Sequence, residues 1–336
     1  MMEEQAMATE KKSLSGKAKE LRDAYSALLE DLSTIVVGQR ELLDSLALST
    51  LTGGHVLIEG LPGLAKTLAV RSFALRLAAA FNRIQFTPDL LPADLVGTRI
   101  YNAKTGEFTV SKGPLFSNIV LADEVNRAPA KVQSALLQAM QERRITIGGE
   151  TFELAEPFLV LATQNPVETE GTYSLPEAQV DRFLFKVVVG YPTPSEEMQI
   201  LERAEGLEIK DDPKPLLRPK QVLEARDEAQ AVFVDEKVKR YLVDLVLATR
   251  DPKAAGLADL VPLLRFGASP RATLALAAAG RAQAFLDSRA YVTPDDIKAV
   301  AHRVLRHRLA LSYEAEAEGV GSDEVVGRIL AKVKVP

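Results

Sequence analysis

The spacing of apolar and polar positions changes character twice along the chain. Between residues 19 and 34, Leu21, Tyr25, Leu28, Leu29 and Leu32 recur at helical intervals among charged residues. Val36-Val37-Gly38-Gln39 breaks that pattern, and a second helix is predicted from about 40 to 51. From His55 onward the rhythm is strand, loop, helix. Short apolar runs at 56–59, 83–86, 119–123, 158–163 and 183–189 read as buried parallel strands. Helices fall between several of them, at 68–81 and 130–143. In the second of these, Val132, Leu136 and Met140 recur at four-residue spacing with Leu137 beside them. This alternation predicts an α/β domain with a mainly parallel sheet.

Two hairpins interrupt the rhythm. One spans 97–113, with strands at 99–101 and 107–110. The other spans 144–154 around Gly148-Gly149, a pair suited to a two-residue turn. Pairing about that turn sets Ile145 opposite Phe152 and puts Ile145, Ile147, Phe152 and Leu154 on one face. After Gly190 the strand pattern stops. Thr193-Pro194-Ser195-Glu196 has the capping residue, proline and acidic residue of a helix start. Ser269-Pro270 and Thr293-Pro294-Asp295-Asp296 repeat that chemistry. Helices are expected at about 195–205, 219–230, 235–250, 270–287 and 294–310. The predicted organisation is a flexible N-terminus (1–18), an α/β core (19–191) and an all-helical C-terminal domain (192–336).

Composition narrows the chemistry. The chain has 336 residues, a net charge of −5 and no cysteine, which excludes disulfides and thiolate zinc sites. His55, His302 and His307 are scattered and do not suggest a metal site. The acidic balance argues against a general nucleic-acid binder, so no nucleic-acid partner is expected. No apolar run approaches the length of a spanning helix and the N-terminus lacks a signal-peptide core, so a cytoplasmic protein, not integral to a membrane, is expected.

The strongest motif is Gly60-Leu61-Pro62-Gly63-Leu64-Ala65-Lys66-Thr67, followed by Leu68, between a predicted strand and a predicted helix. That context suits a phosphate loop. Backbone N–H groups would cradle phosphates at the helix N-terminus, Lys66 would reach the β- and γ-phosphates of ATP, and the Thr67 hydroxyl would ligate Mg²⁺. Ala65 stands where glycine usually precedes the lysine. Alanine accepts helical dihedrals, so the helix is expected to begin there, with no positive φ required.

An apolar strand ends in Asp123-Glu124. Asp123 could hold Mg²⁺, through a bridging water, and Glu124 could orient or deprotonate an attacking water. Asn165, at the end of another apolar strand, could position that water or sense the γ-phosphate, though an Asn-Pro turn explains it equally. Arg182 could stabilise charge in a neighbouring subunit's site, or simply pair with Asp181 or another acid. Arg271 lies in the first turn of a helix, where the dipole disfavours it; a nucleotide contact would explain it, and a simply exposed arginine would do so equally.

Together these residues resemble the AAA+ ATPases, and specifically the MoxR family. The resemblance rests on Val37-Gly38-Gln39, the loop with its Ala-Lys-Thr ending, Ala122-Asp123-Glu124-Val125-Asn126-Arg127-Ala128-Pro129, Ala162-Thr163-Gln164-Asn165-Pro166, Pro176-Glu177-Ala178-Gln179-Val180-Asp181-Arg182-Phe183 and Ser269-Pro270-Arg271. It covers roughly residues 20–310. It implies an AAA+ P-loop core with β-hairpin inserts and a C-terminal helical lid. By position it implies that Gly38 and Gln39 approach the adenine, Asp123 and Glu124 form the second Walker motif, and Asn165 is the first sensor. Arg182 becomes the trans-acting finger and Arg271 the second sensor. The hairpins would face a ring's pore side or a partner, and Arg127 would reach across the subunit interface. The cofactors implied are ATP and Mg²⁺. The implied assembly is a homo-hexameric ring, with a von Willebrand A-domain partner protein and a protein client whose maturation or metal-cofactor insertion it promotes. A magnesium-chelatase-like motor subunit, a DNA-translocating ATPase and a non-hydrolysing ATP switch are the alternatives.

Overall fold

A computed structural model describes residues 13–166, 172–204 and 214–336. The chain folds into two compact units, one of residues 26–183 and 187–223, the other of residues up to 25, 184–186 and 224–336. The first unit therefore runs past the boundary expected at 192. Of the N-terminal segment expected to be flexible, residues 1–12 lie outside the described residues. The first helix starts within the remainder, at Gly16–Ile35.

The first unit is built on five strands: β1 (Val56–Gly60), β2 (Phe81–Gln85), β5 (Ile119–Asp123), β8 (Leu159–Gln164) and β9 (Phe185–Val189), of which residues 187–189 belong to this unit. Between them lie the hairpin strands β3 (Gly97–Asn102) with β4 (Glu107–Lys112), and β6 (Arg144–Ile147) with β7 (Glu150–Glu153). The sheet order is β2-β5-β8-β1-β9, and the ladders between β2 and β5, β5 and β8, and β8 and β1 are parallel. β1, β5 and β8 are central and apolar on both faces, as a parallel sheet covered by helices requires. β2 departs from the expectation of a buried strand. It is an edge strand whose Asn82, Arg83 and Gln85 are exposed, while Ile84 packs inward.

The parallel registers align the carboxyl ends of β1, β5 and β8. Ile58 faces Thr163, Ala122 faces Ala162, and Gln85 faces Asp123. Helix Ala130–Glu142 buries Val132, Leu136, Leu137 and Met140, the stripe its spacing predicts. The preceding helix, Lys66–Arg76, stops five residues short of expectation, because Ala78 turns to φ 47° and Phe81 is taken up by β2. The 144–154 hairpin forms in the predicted register, with Ile145 opposite Phe152 and Ile145, Ile147 and Leu154 buried.

His55 ties the amino ends of this sheet to the helix beside it. It is buried, its Nδ1 accepts from the Val160 backbone N–H (3.0 Å), and its Nε2 lies 3.1 Å from the Met140 carbonyl. Arg143 closes the same corner by donating to the Gly53 carbonyl at 2.8 Å and pairing with Glu156.

The second unit is mainly helical: Pro219–Gln230 in part, Glu236–Arg250, Pro270–Leu286, Pro294–Leu305, Tyr313–Glu318 and Ser322–Lys332. Its starts follow the sequence chemistry. Ser269 Oγ accepts from the Arg271 backbone N–H, and Thr293 with Asp296 forms a capping box. It is not all-helical, however. A two-stranded antiparallel pair, β10 (Leu264–Phe266) with β11 (Ala310–Leu311), is threaded through it, and so the helix expected to reach 310 ends at Leu305. Among the described residues no helix is long and apolar enough to cross a membrane.

Candidate functional site

At the carboxyl ends of β1, β5 and β8 lies a cleft of about 350 Å³, lined by residues 62–68, Arg83, Asp123, Glu124, Thr163 and Asn165. All of these belong to the α/β unit. Five candidates read from three separate motifs thus converge on one space: Lys66, Thr67, Asp123, Glu124 and Asn165. Gly60 and Leu61 lead into the loop without lining the cleft.

The loop is shaped by its small residues. A Cβ on Gly60 would fall 2.6 Å from the Val189 carbonyl oxygen, so the close approach of β1 to β9 requires glycine. Gly63 turns at φ 82° with open space where a side chain would project. Ala65 overturns the expectation drawn from its side chain. It sits at φ 56°, ψ 16°, in the left-handed region, and the helix begins only at Lys66. The loop geometry thus overrides the intrinsic preference of alanine, at a cost of about 1–2 kcal/mol.

Lys66 extends back under the loop, where its Nζ donates to the Gly60 carbonyl at 2.6 Å. Burial pushes this ammonium below the ordinary lysine value of 10.5, while Asp123 and Glu124 oppose that shift.

The two carboxylates are held by different partners. Asp123 Oδ1 accepts from the Thr163 hydroxyl (2.6 Å), and its Oδ2 accepts from Arg83 Nε and Nη2 at 2.9 and 2.6 Å. Glu124 Oε2 accepts from Gln85 Nε2 (2.7 Å) and Arg127 Nη1 (3.1 Å). The Glu124 backbone is itself left-handed, at φ 56°, ψ 49°. Such a conformation costs of order 1–3 kcal/mol and needs anchoring. Its N–H donates to Thr163 Oγ1 at 2.8 Å, and its carbonyl accepts from the Arg127 N–H at 2.9 Å. Thr163, 1 % exposed, therefore fixes both acidic residues. Asn165, two residues further along, is buried at the cleft wall.

Sequence reasoning missed Thr163, Arg83 and Gln85. The signal was the pairing of parallel strands: once β5 and β8 are adjacent, Thr163 stands beside Asp123. Gly38, Gln39 and Arg182, in the same unit, do not line the cleft. Gln39 Nε2 donates to the Gly190 carbonyl at 3.3 Å, and Gly38, at φ 73°, is packed against the Glu196 carboxylate. Arg182 donates to the Leu137 carbonyl at 3.5 Å. Arg271 belongs to the helical unit.

Two family models match the chain. Residues 55–185 match the ATPase family associated with various cellular activities, and residues 261–329 match the AAA lid domain. The crystal structure of a candidate ATPase from Cytophaga hutchinsonii superposes with a TM-score of 0.90 at 46 % identity, over 99 % of both chains. Chaperone MoxR1 of Mycobacterium tuberculosis is 48 % identical over 96 % of this chain and 84 % of its own length. The chain belongs to the MoxR family of AAA+ ATPases. Protein MoxR of Paracoccus denitrificans, 33 % identical over 94 % of this chain and 96 % of its own, is a further relative. The α/β unit with its parallel sheet is the AAA+ core, and the helical unit carries the lid. Membership in this MoxR family supports ATP hydrolysis as the general activity.

Proposed function

We propose that this chain is a Mg²⁺-dependent ATPase that works as a homo-hexameric ring and uses turnover to remodel or mature protein clients. The supporting observation is the convergence of Lys66, Thr67, Asp123, Glu124 and Asn165 on one cleft at the end of a parallel sheet. Open loop geometry at Gly63 and a helix N-terminus at Lys66 suit a polyphosphate. The Thr67 hydroxyl and Asp123 carboxylate are oxygen donors of the kind magnesium takes alongside nucleotide phosphates. When bound there, magnesium would neutralise charge on the phosphate oxygens.

In this reading the 60–67 loop and Lys66 hold the β- and γ-phosphates, and Thr67 and Asp123 hold the metal. Asn165 positions a water in line with the γ-phosphorus. As its oxygen bonds to phosphorus and the bond to ADP breaks, Glu124 takes the water's proton. Gly38 and Gln39 approach the adenine, and Arg271 contacts the nucleotide from the lid. Arg182 completes a neighbour's site, which requires a head-to-tail interface, the kind from which a ring is built. The client reading follows the chaperone designation of the Mycobacterium relative. A von Willebrand A-domain partner and a cytoplasmic location complete it.

Mixing two inactive chains tests the shared site. Lys66→Ala disables a subunit's own phosphate loop, and Arg182→Ala disables only the site it serves in trans. Combined, they should recover phosphate release above either alone. No recovery from variants that still co-assemble would refute the shared site.

A further inference from the structure

Arg83 lies on the edge strand with 48 % of its side chain exposed, yet its guanidinium lies over the cleft and on Asp123. The strand geometry places it there: Gln85 is the register partner of Asp123, and Arg83 is two residues earlier on the same strand face. Arg83 Nε and Nη2 both donate to Asp123 Oδ2, at 2.9 and 2.6 Å. The same Nη2 also donates to Gln85 Oε1 at 2.9 Å, which adds a second tie to the guanidinium. The other oxygen, Oδ1, accepts from the Thr163 hydroxyl. A carboxylate offers about four lone-pair directions, and this arrangement engages both of those on Oδ2.

We propose that Arg83 is a positioning residue that competes with magnesium for Asp123, so that the metal, or the water that bridges to it, gains Oδ2 only where the guanidinium gives it up. The proposal rests on the reading of Asp123 as the metal-holding carboxylate. The guanidinium and a hydrated magnesium cannot both take the lone pairs of Oδ2, which leaves the metal one direction on Oδ1, and the mutual repulsion of the two cations adds to the conflict. The clamp is also weak enough to yield, because a guanidinium this exposed is screened by water. Until it yields, Arg83 and Thr163 together keep the carboxylate aimed.

The test uses the full chain and a fluorescent ATP analogue, with binding followed from EDTA up through increasing free Mg²⁺. Arg83→Ala should lower the half-saturating Mg²⁺ by roughly two- to five-fold, the range an exposed pair supports. Affinity in EDTA should not change. Arg83→Met carries the same expectation while keeping the aliphatic packing. Arg127→Ala removes an equal charge that rests on Glu124 instead, so its shift should be smaller. An unchanged or higher Mg²⁺ requirement in both Arg83 variants would overturn the proposal. So would an equal shift in Arg127→Ala, which indicates a bulk field effect. Weaker binding in EDTA would also overturn it, making Arg83 a phosphate ligand. If the wild-type chain binds with no Mg²⁺ dependence, the Asp123 reading fails, and the proposal with it.

Discussion

Replacing Ala65 with glycine should stabilise the protein, although glycine within a helix is ordinarily a loss. Ala65 is held at φ 56°, ψ 16°. An L-residue there carries a penalty of about 1–2 kcal/mol from its Cβ, and glycine carries none. Against this, glycine gains conformational freedom in the unfolded chain, about 0.5–1 kcal/mol. The difference leaves Ala65→Gly more stable by about 0.5–1 kcal/mol. For a unit of this size that is a rise of roughly 1–4 °C in Tm, or an increased urea midpoint with an unchanged slope. The opposite geometry predicts the opposite sign. Were Ala65 the first residue of a right-handed helix, glycine would cost up to about 1 kcal/mol. Urea unfolding followed by far-UV circular dichroism distinguishes the two, and a lowered midpoint would refute the left-handed assignment.

Other perturbations have equally definite signs. His55→Ala leaves the Val160 N–H without its acceptor and the Met140 carbonyl without its contact, both in a buried corner. A loss of about 2 kcal/mol or more in urea unfolding is expected, and one below about 0.5 kcal/mol would contradict the bridge. Lys66 gives a pH dependence. Its folded pKa lies below the unfolded lysine value of 10.5, so between the two the unfolded chain binds more protons, and this group adds stability as pH rises. ATP affinity should move the other way, full while Lys66 is protonated and weakening at lower pH than an ordinary lysine would dictate. Titrating affinity upward from pH 7 in wild type and Lys66→Ala checks this, since the variant should lack the lysine-dependent step.

Much of this architecture is legible in local sequence because the central strands are apolar on both faces and their carboxyl ends are marked by polar residues. Asp123, Glu124 and Asn165 could be chosen from such strand ends, and the cleft gathers all three. What was hidden depends on neighbours across the sheet. Arg83 and Gln85 sit on what looked like a buried strand, and only its place at the sheet edge turns them toward the carboxylates. Thr163 reads as an ordinary strand residue until the β5–β8 pairing sets it beside Asp123. Ala65 misleads because local propensity favours a helical residue, whereas the loop imposes a left-handed one. In the lid, the β10–β11 pair is too short for alternation to register, so 294–310 read as one helix.

In the proposed reaction Glu124 serves as the base in an ATP-hydrolysing cleft. The direct measurement is phosphate release by assembled Glu124→Gln at saturating Mg²⁺ and ATP, with nucleotide affinity measured on the same preparation. Glutamine keeps the shape of the side chain but cannot take the proton, so turnover should fall by about 10²-fold or more while binding persists. Release at the wild-type rate would rule Glu124 out as that base.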